Sequence, residues 1–401
     1  MYKLIFINRE MKSFNYLSNK KSWVAAAVLS LYSNRLTVGK RTVECFLFSK
    51  LRTGWKRNNQ SNKDRNRYRH RMMTTMSELE LVDVDCNLLH SDLKSLKKTT
   101  EVVTIEDDAW NILHEDAVKE AKIVAMISPS STIAETEQFL NLYQSRPPSI
   151  PLRVKTTVGV HPYHVNDNDL IYDATDERIS MEEHRNKIST ILMKDEENNI
   201  SAVGECGLDA SEGFPPLELQ LPWFLMQIEI ATQFKLPLFV HERLAFPETI
   251  KMLEIVPPTS PIIIHCFTGT KENCIEYIKR GYYISISGYI LNERNDNYSE
   301  VISCLEEGII PLDKLMIETD SPYMGFKGCR QLYLDHNHEY VSSINSKSRK
   351  RLQQSIYPNV PSSLPMVLSK VTECLQKHDT TLTLEKIALC TTANARKFFS
   401  L

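Results

Sequence analysis

The chain has 401 residues, 42% of them hydrophobic, and a formal net charge of −2. That is enough apolar material for one large α/β domain or two smaller ones, and it excludes a disordered or low-complexity polypeptide. The charge is unevenly spread: residues 1–77 hold 17 Lys/Arg against three acids, leaving 31 basic and 47 acidic residues beyond, a net of −16. A body this acidic that takes an anionic partner must confine positive charge, or a metal, to the site itself.

Residues 1–77 read as a basic, disordered extension rather than a folded domain. Their composition fits a mitochondrial transit peptide, a nucleic-acid arm, or upstream sequence when translation starts near Met72, Met73 or Met76. The nine cysteines form no CxxC pair or disulfide ladder, which fits a reducing compartment: cytoplasm or nucleus, or mitochondrion if the extension is a transit peptide. No run reaches the about 18 apolar residues of a membrane helix.

From residue 78 onward strands and helices alternate. Strands are expected at 81–85, 121–127, 154–160, 200–205, 236–240, 261–264, 282–286 and 314–317. Helices are expected at 134–143 and 217–234, the second from apolar residues at 221, 224, 225 and 228. Eight strands with helical stretches between them point to a (β/α)8 barrel of the TIM type, whose functional residues cluster where the strands end. Asp85, His161, Glu205, His241, His265 and Asp320 each stand at such an end. A lone histidine there is more often structural than catalytic, and an acid before Ser-Pro is often a helix cap. Six on one rim make a site. Imidazoles and carboxylates converging on a point suit a divalent ion, which lowers the pKa of bound water and polarises a phosphoryl or carbonyl oxygen.

The residues that carry this pattern are Gly159-Val160-His161-Pro162, Gly204-Glu205-Cys206-Gly207-Leu208-Asp209, Leu236 to His241 with Arg243, His265-Cys266-Phe267-Thr268-Gly269 and Ile317-Glu318-Thr319-Asp320-Ser321-Pro322, with Asn359-Val360-Pro361 further on. Over residues 82 to about 398 the chain resembles the TatD family of metal-dependent deoxyribonucleases, within the amidohydrolase superfamily. The resemblance implies a distorted barrel and metal-dependent hydrolysis of DNA phosphodiesters; because a deep barrel mouth receives a strand end more readily than a duplex, exonuclease action on single strands or strand ends is expected. The ligand types suit one or two divalent ions, Mg2+ first for the carboxylate oxygens and Mn2+ or Zn2+ as alternatives for the imidazoles. By the same resemblance Glu205, His241, His265 and Asp320 are metal ligands, Asp320 also the base for the attacking water. His161 stands beside the scissile phosphate and Arg243 holds a phosphate oxygen.

One motif departs from the pattern. Asp83-Val84-Asp85-Cys86-Asn87 stands where the family commonly has Asp-X-His-X-His, so both histidines are replaced. Asp85 still offers an oxygen ligand, which favours harder ions such as Mg2+. The stretch 329–357 looks like an insertion and carries Lys347, Arg349, Lys350 and Arg351. It reads either as a solvated disordered loop or as a basic flap that meets the nucleic-acid backbone. Tyr163, Phe267 and Tyr323 adjoin site residues and suit base stacking as well as packing. Two other functions compete: hydrolysis of an amide, ester or aminoacyl bond by the same polarised water, and an inert nucleic-acid-binding barrel.

Overall fold

The computed structural model describes residues 79–93, 105–144, 146, 152–167, 180–255 and 260–401. The extension expected at 1–77 lies outside them. Eight parallel strands follow one another in sequence order around a single sheet: β1 (Leu81–Asp83), β2 (Ile123–Ser128), β3 (Arg153–Val158), β4 (Ile200–Asp209), β5 (Leu238–Arg243), β6 (Ile262–Ile264), β7 (Tyr283–Ile286) and β8 (Leu315–Ile317). Between and after them run helices α1 (Ile105–His114), α2 (Asp116–Glu120), α3 (Ile133–Gln144), α4 (Met181–Lys194), α5 (Leu217–Phe234), α6 (Phe246–Ile255), α7 (Lys271–Lys279), α8 (Tyr298–Glu306), α9 (Gln331–His336), α10 (His338–Ser343), α11 (Ser346–Gln354), α12 (Leu364–His378) and α13 (Leu384–Phe399). Beyond the strands proper, the ends of β8 and β1 are laced together. The Asp320 amide donates to the Asp85 carbonyl (2.8 Å) and the Asn87 amide to that of Ser321 (2.8 Å). The sheet is thus a nearly closed barrel.

Alternation along the strands separates two apolar layers. Val82, Ala125, Ile127, Ala202, Phe239, Ile263 and Met316 fill the barrel interior. Leu81, Val203, Leu238, Val240, Ile262 and Ile264 face the helices. Phe398 and Phe399 at the end of α13 belong to the interior set and plug one end of the barrel. There the buried Lys155 ammonium donates to the carbonyls of Phe399 (3.3 Å) and Ser400 (3.0 Å), a cation on the last carbonyls of a helix. Parity carries straight on to the other end: Phe239 is followed by His241, Ile263 by His265, and Met316 by Glu318.

Glu205 breaks that parity. With Ala202 inward, strict alternation would turn residue 205 outward, but the β4–β5 register shifts between Val203 and Cys206. An extra residue of this kind re-aims the side chains beyond it. The glycines on either side belong to the same device. A Cβ at Gly204 would lie 2.4 Å from the Phe239 carbonyl oxygen, and one at Gly207 only 1.9 Å from that of His241, both at positive φ. They admit the backbone of β5.

The insertion at 329–357 is folded, which corrects the expectation of a disordered loop. It consists of α9, α10 and α11, with Tyr333 and Leu334 of α9 packed on Ala117 of α2 and on Val360. Arg349, expected among the nucleic-acid-facing bases, turns inward and donates to the carbonyls of Val341 (2.9 Å), Ser342 (3.0 Å) and Ile344 (3.3 Å), closing the end of α10. Lys347, Lys350 and Arg351 are exposed. Among the described residues no helix is long and apolar enough to cross a membrane.

Candidate active site at the barrel mouth

Glu205 is the hub. Its Oε1 lies 3.3 Å from His161 Nε2, 3.2 Å from His241 Nδ1 and 2.8 Å from His265 Nε2, so the ends of β3, β5 and β6 each bring one histidine to a single oxygen of β4. Burial works against the Glu205 carboxylate, but the charges of His161 and His265 and the hydrogen bonds from His161 and His241 outweigh it, and the group is held well below the usual carboxylate range. Of the three imidazoles, His241 and His265 are the ones whose charge this carboxylate sustains. Burial disfavours charge on His241 too, yet the hydrogen bonds to Asp209 and Glu205 raise it to about 9. His265 is likewise brought to about 9 against its burial, chiefly by the Glu205 charge.

The three histidines are not equivalent. His161 Nδ1 accepts the Tyr163 amide (3.2 Å), so in the neutral ring the proton sits on Nε2 and is presented to the site. Burial pulls the ring's pKa down, keeping it neutral. A nitrogen that carries a proton is a donor, not a metal ligand. His241 is the reverse: its Nε2 hydrogen goes to Asp209 Oδ2 (2.9 Å), so in the neutral ring it is Nδ1, facing the hub, that is free of a proton. His265 is buried and neither of its nitrogens makes a hydrogen bond, although Nε2 faces Glu205 and Nδ1 faces Asp85 Oδ2 at 3.0 Å.

Two further buried oxygens have no hydrogen-bond partner, Asp85 Oδ2 and Glu318 Oε1. Together with His265 they form a compact group of potential ligands, and His161, Glu205 and His241 form a second. Burial and the charges of Asp320 and Glu205 push Asp85 well above its usual range; burial does the same to Glu318. Orphaned buried polar atoms cost free energy unless something binds them. The His265 imidazole and these two carboxylate oxygens, left in this condition, fit a divalent cation.

Asp320 stands beside both groups and within neither. It follows β8 in a left-handed backbone conformation (φ 51°), and no helix starts there, which removes the capping alternative. Its Oδ1 accepts from Asn87 Nδ2 at 3.4 Å. Burial, partly offset by His265, raises it to about 6. Its position is set from behind. Asp83 accepts the Thr319 amide (2.8 Å) and hydroxyl (2.6 Å), and Asn359 Nδ2 donates to the Thr319 carbonyl (2.9 Å). The Asn-Val-Pro motif therefore braces β8. Arg243, at the end of β5, is half-buried at the mouth, and no carboxylate bonds it among the described residues.

Residues 82–400 match the family described as TatD related DNase. The chain belongs to that family. It is a hydrolase of nucleic-acid phosphodiester bonds, from a metal-dependent family. The chain is similar to the 3'-5' ssDNA/RNA exonuclease TatD of Erwinia tasmaniensis, 30% identical over 207 residues that make up 51% of this chain and 71% of that protein. It is similar to the protein of the same name from Citrobacter rodentium, 26% identical over 292 residues, 72% of this chain and 92% of the relative. The solved TatD family hydrolase of Entamoeba histolytica superposes with a TM-score of 0.59 at 19% identity, covering 80% of this chain and 98% of that one, a likeness of fold.

Sequence reading missed Asp209 as a functional residue. The signal was present, since residues 205, 207 and 209 share one face of an extended strand, but β4 was expected to stop at Glu205. It also left Glu318 without a role. Of the three aromatics for which stacking and packing were both open, Phe267 packs, buried in the helix-facing layer, whereas Tyr163 and Tyr323 are exposed.

Proposed function

We propose that this chain is an exonuclease of single-stranded DNA that uses Mg2+, with Glu205, His241 and His265 as metal ligands and Asp85 and Glu318 as further oxygen donors. The carrying observation is the Glu205 oxygen ringed by imidazole nitrogens at 2.8–3.3 Å beside buried His265, Asp85 and Glu318 atoms that lack hydrogen-bond partners. The preponderance of carboxylate oxygens supports a hard ion, with Mn2+ or Zn2+ as alternatives. When bound, the metal lowers the pKa of a water and polarises the phosphoryl oxygen.

The protein's own groups do the rest. His161 presents its Nε2 proton to a non-bridging phosphate oxygen. Arg243 offers a planar fork to another. Asp209 holds the His241 ring so that Nδ1 faces inward, the carboxylate–histidine support common behind metal ligands. Asp320, raised to about 6, is mostly ionised at neutral pH and can take the proton of the attacking water.

The test uses the full chain and single-stranded oligonucleotides labelled at either end, before and after EDTA and with Mg2+, Mn2+ or Zn2+ restored. Stepwise shortening from one end, abolished by EDTA and recovered with Mg2+, is expected. Internal cuts would refute the exonuclease reading, and activity indifferent to EDTA would refute the metal.

A further inference from the structure

Three loops meet on the rim beside Asp320 in a small aromatic assembly. Tyr323, three residues after Asp320, is 45% exposed, and Tyr357, at the end of the 329–357 insertion, is 42% exposed. Their rings lie 6.4 Å apart, tilted by 45°. Large exposed rings usually keep rotational freedom, but both of these are tied at their hydroxyls. His90, from the loop after β1, stands edge-to-face with Tyr323 at 5.3 Å. Its Nδ1 accepts the Asp92 amide (3.1 Å), so its Nε2 proton is the one shared with the Tyr323 hydroxyl at 2.9 Å. The Tyr357 hydroxyl donates to Asp92 Oδ2 at 2.7 Å. The insertion that carries Tyr357 is itself held by Arg330, which is buried and donates to the carbonyls of Leu352, Ser355 and Pro358. Tyr323 is also within electrostatic reach of the centre: after burial, the Asp320 and Glu205 carboxylates are the main groups that push its hydroxyl up to about 12.

We propose that Tyr323 and Tyr357, oriented by His90 and Asp92, form a stacking platform for the nucleobase next to the cleaved phosphodiester. This rests on the nuclease reading and deepens it by locating what selects an unpaired strand. A ring fixed by its polar end keeps its face available and loses little entropy when a base settles on it. Stacking on an aromatic face is indifferent to which base is present, because every base has one. Both faces of a base inside a duplex are already covered and a terminal pair offers only one, so the platform favours an unpaired nucleotide. The acidic body is no obstacle, since stacking needs no positive charge, and the exposed Lys347, Lys350 and Arg351 lie on the same insertion to meet the backbone.

The experiment compares two single-stranded oligonucleotides of equal length in Mg2+. One is intact and the other carries abasic residues at the last two positions of each end. A stacked base is worth about 1–3 kcal/mol, or roughly 5- to 150-fold, so the full-length protein should show a KM for the intact strand at least about fivefold lower. In Tyr323→Leu/Tyr357→Leu that preference should collapse to within about twofold. A 2-aminopurine near the end should be quenched on binding the parent protein and not the variant. Tyr357→Leu alone, a change confined to the insertion, serves if the double variant loses its fold, and it should remove at least half of the preference on a logarithmic scale. A variant that melts like the parent yet keeps the full preference and the quenching overturns the platform. If the parent protein cleaves neither strand, the nuclease reading fails, and the platform goes with it.

Discussion

Arg330 offers a sharp test of how the insertion is held. The guanidinium is buried, and no carboxylate bonds it among the described residues. It makes four hydrogen bonds to three backbone carbonyls: Leu352 from Nε (2.9 Å) and Nη2 (2.8 Å), Ser355 (2.6 Å) and Pro358. Arg330→Met keeps most of the stem's packing and leaves those three carbonyls without their donor. Charge-assisted bonds contribute about 1.5–3 kcal/mol each, but burying the cation costs several kcal/mol, and the carbonyl segment is only partly buried, so water recovers part of the loss. The net is about 3–5 kcal/mol, concentrated on residues 346–358. At 1.36 kcal/mol per decade, amide exchange in α11 should accelerate by roughly 10²–10⁴. The barrel, whose layers do not include this segment, should keep its own protection. Hydrogen exchange read by mass spectrometry over 346–358 and over β4–β6 provides the comparison. Unchanged protection of α11 in Arg330→Met would refute the reasoning, and equal acceleration in the barrel strands would show that Arg330 supports the whole fold.

Other outcomes follow from the site. Asp320→Asn should lower turnover by roughly 10²–10⁴ while metal content stays near parental, whereas His265→Ala should lose metal first and be partly restored by excess Mg2+; elemental analysis beside single-turnover assays separates the two. Asp209→Asn should weaken metal binding by about 10–100-fold, and an unaltered Mn2+ titration would reduce Asp209 to packing. In EDTA-treated protein His241 and His265 sit near 9, above the ordinary 6.5, so their contribution to stability is complete below pH 6.5 and is lost as pH rises through about 9. Metal affinity should move the opposite way, climbing over the same window because an ion must displace those protons. Melting curves and metal titrations at pH 6, 7.5 and 9 check both signs. Neutralising Lys347, Lys350 and Arg351 should flatten the salt dependence of single-strand binding by about 0.7 per lost phosphate contact, whereas Arg349→Gln should loosen α10 and leave that slope unchanged.

Much of the barrel was legible in the residues because its signals are local. Short apolar runs ending in a polar residue mark strands, and an apolar stripe placed α5 at Leu217–Phe234, as observed. The strand-end residues His241 and His265 follow from parity, since a side chain two residues beyond an inward apolar one points the same way. The insertion resisted this reading. α9, α10 and α11 are short and mostly polar, and their order comes from a buried arginine and from packing on α2, which is distant in sequence.

The amino-acid sequence by itself determined the order of the strands, the side of the barrel that carries chemistry and the identity of the hub carboxylate. Only the tertiary structure decided how those groups are used. Glu205 points inward because β4 slips register against β5, a relation between two strands that neither encodes alone. His161 and His241 look alike in the sequence, yet as neutral rings one presents a proton and the other a lone pair, because a backbone amide at Tyr163 and a carboxylate at Asp209 hold opposite ends of the two rings. A histidine's role is set by which nitrogen its neighbours occupy, and those neighbours are assembled only when the barrel closes.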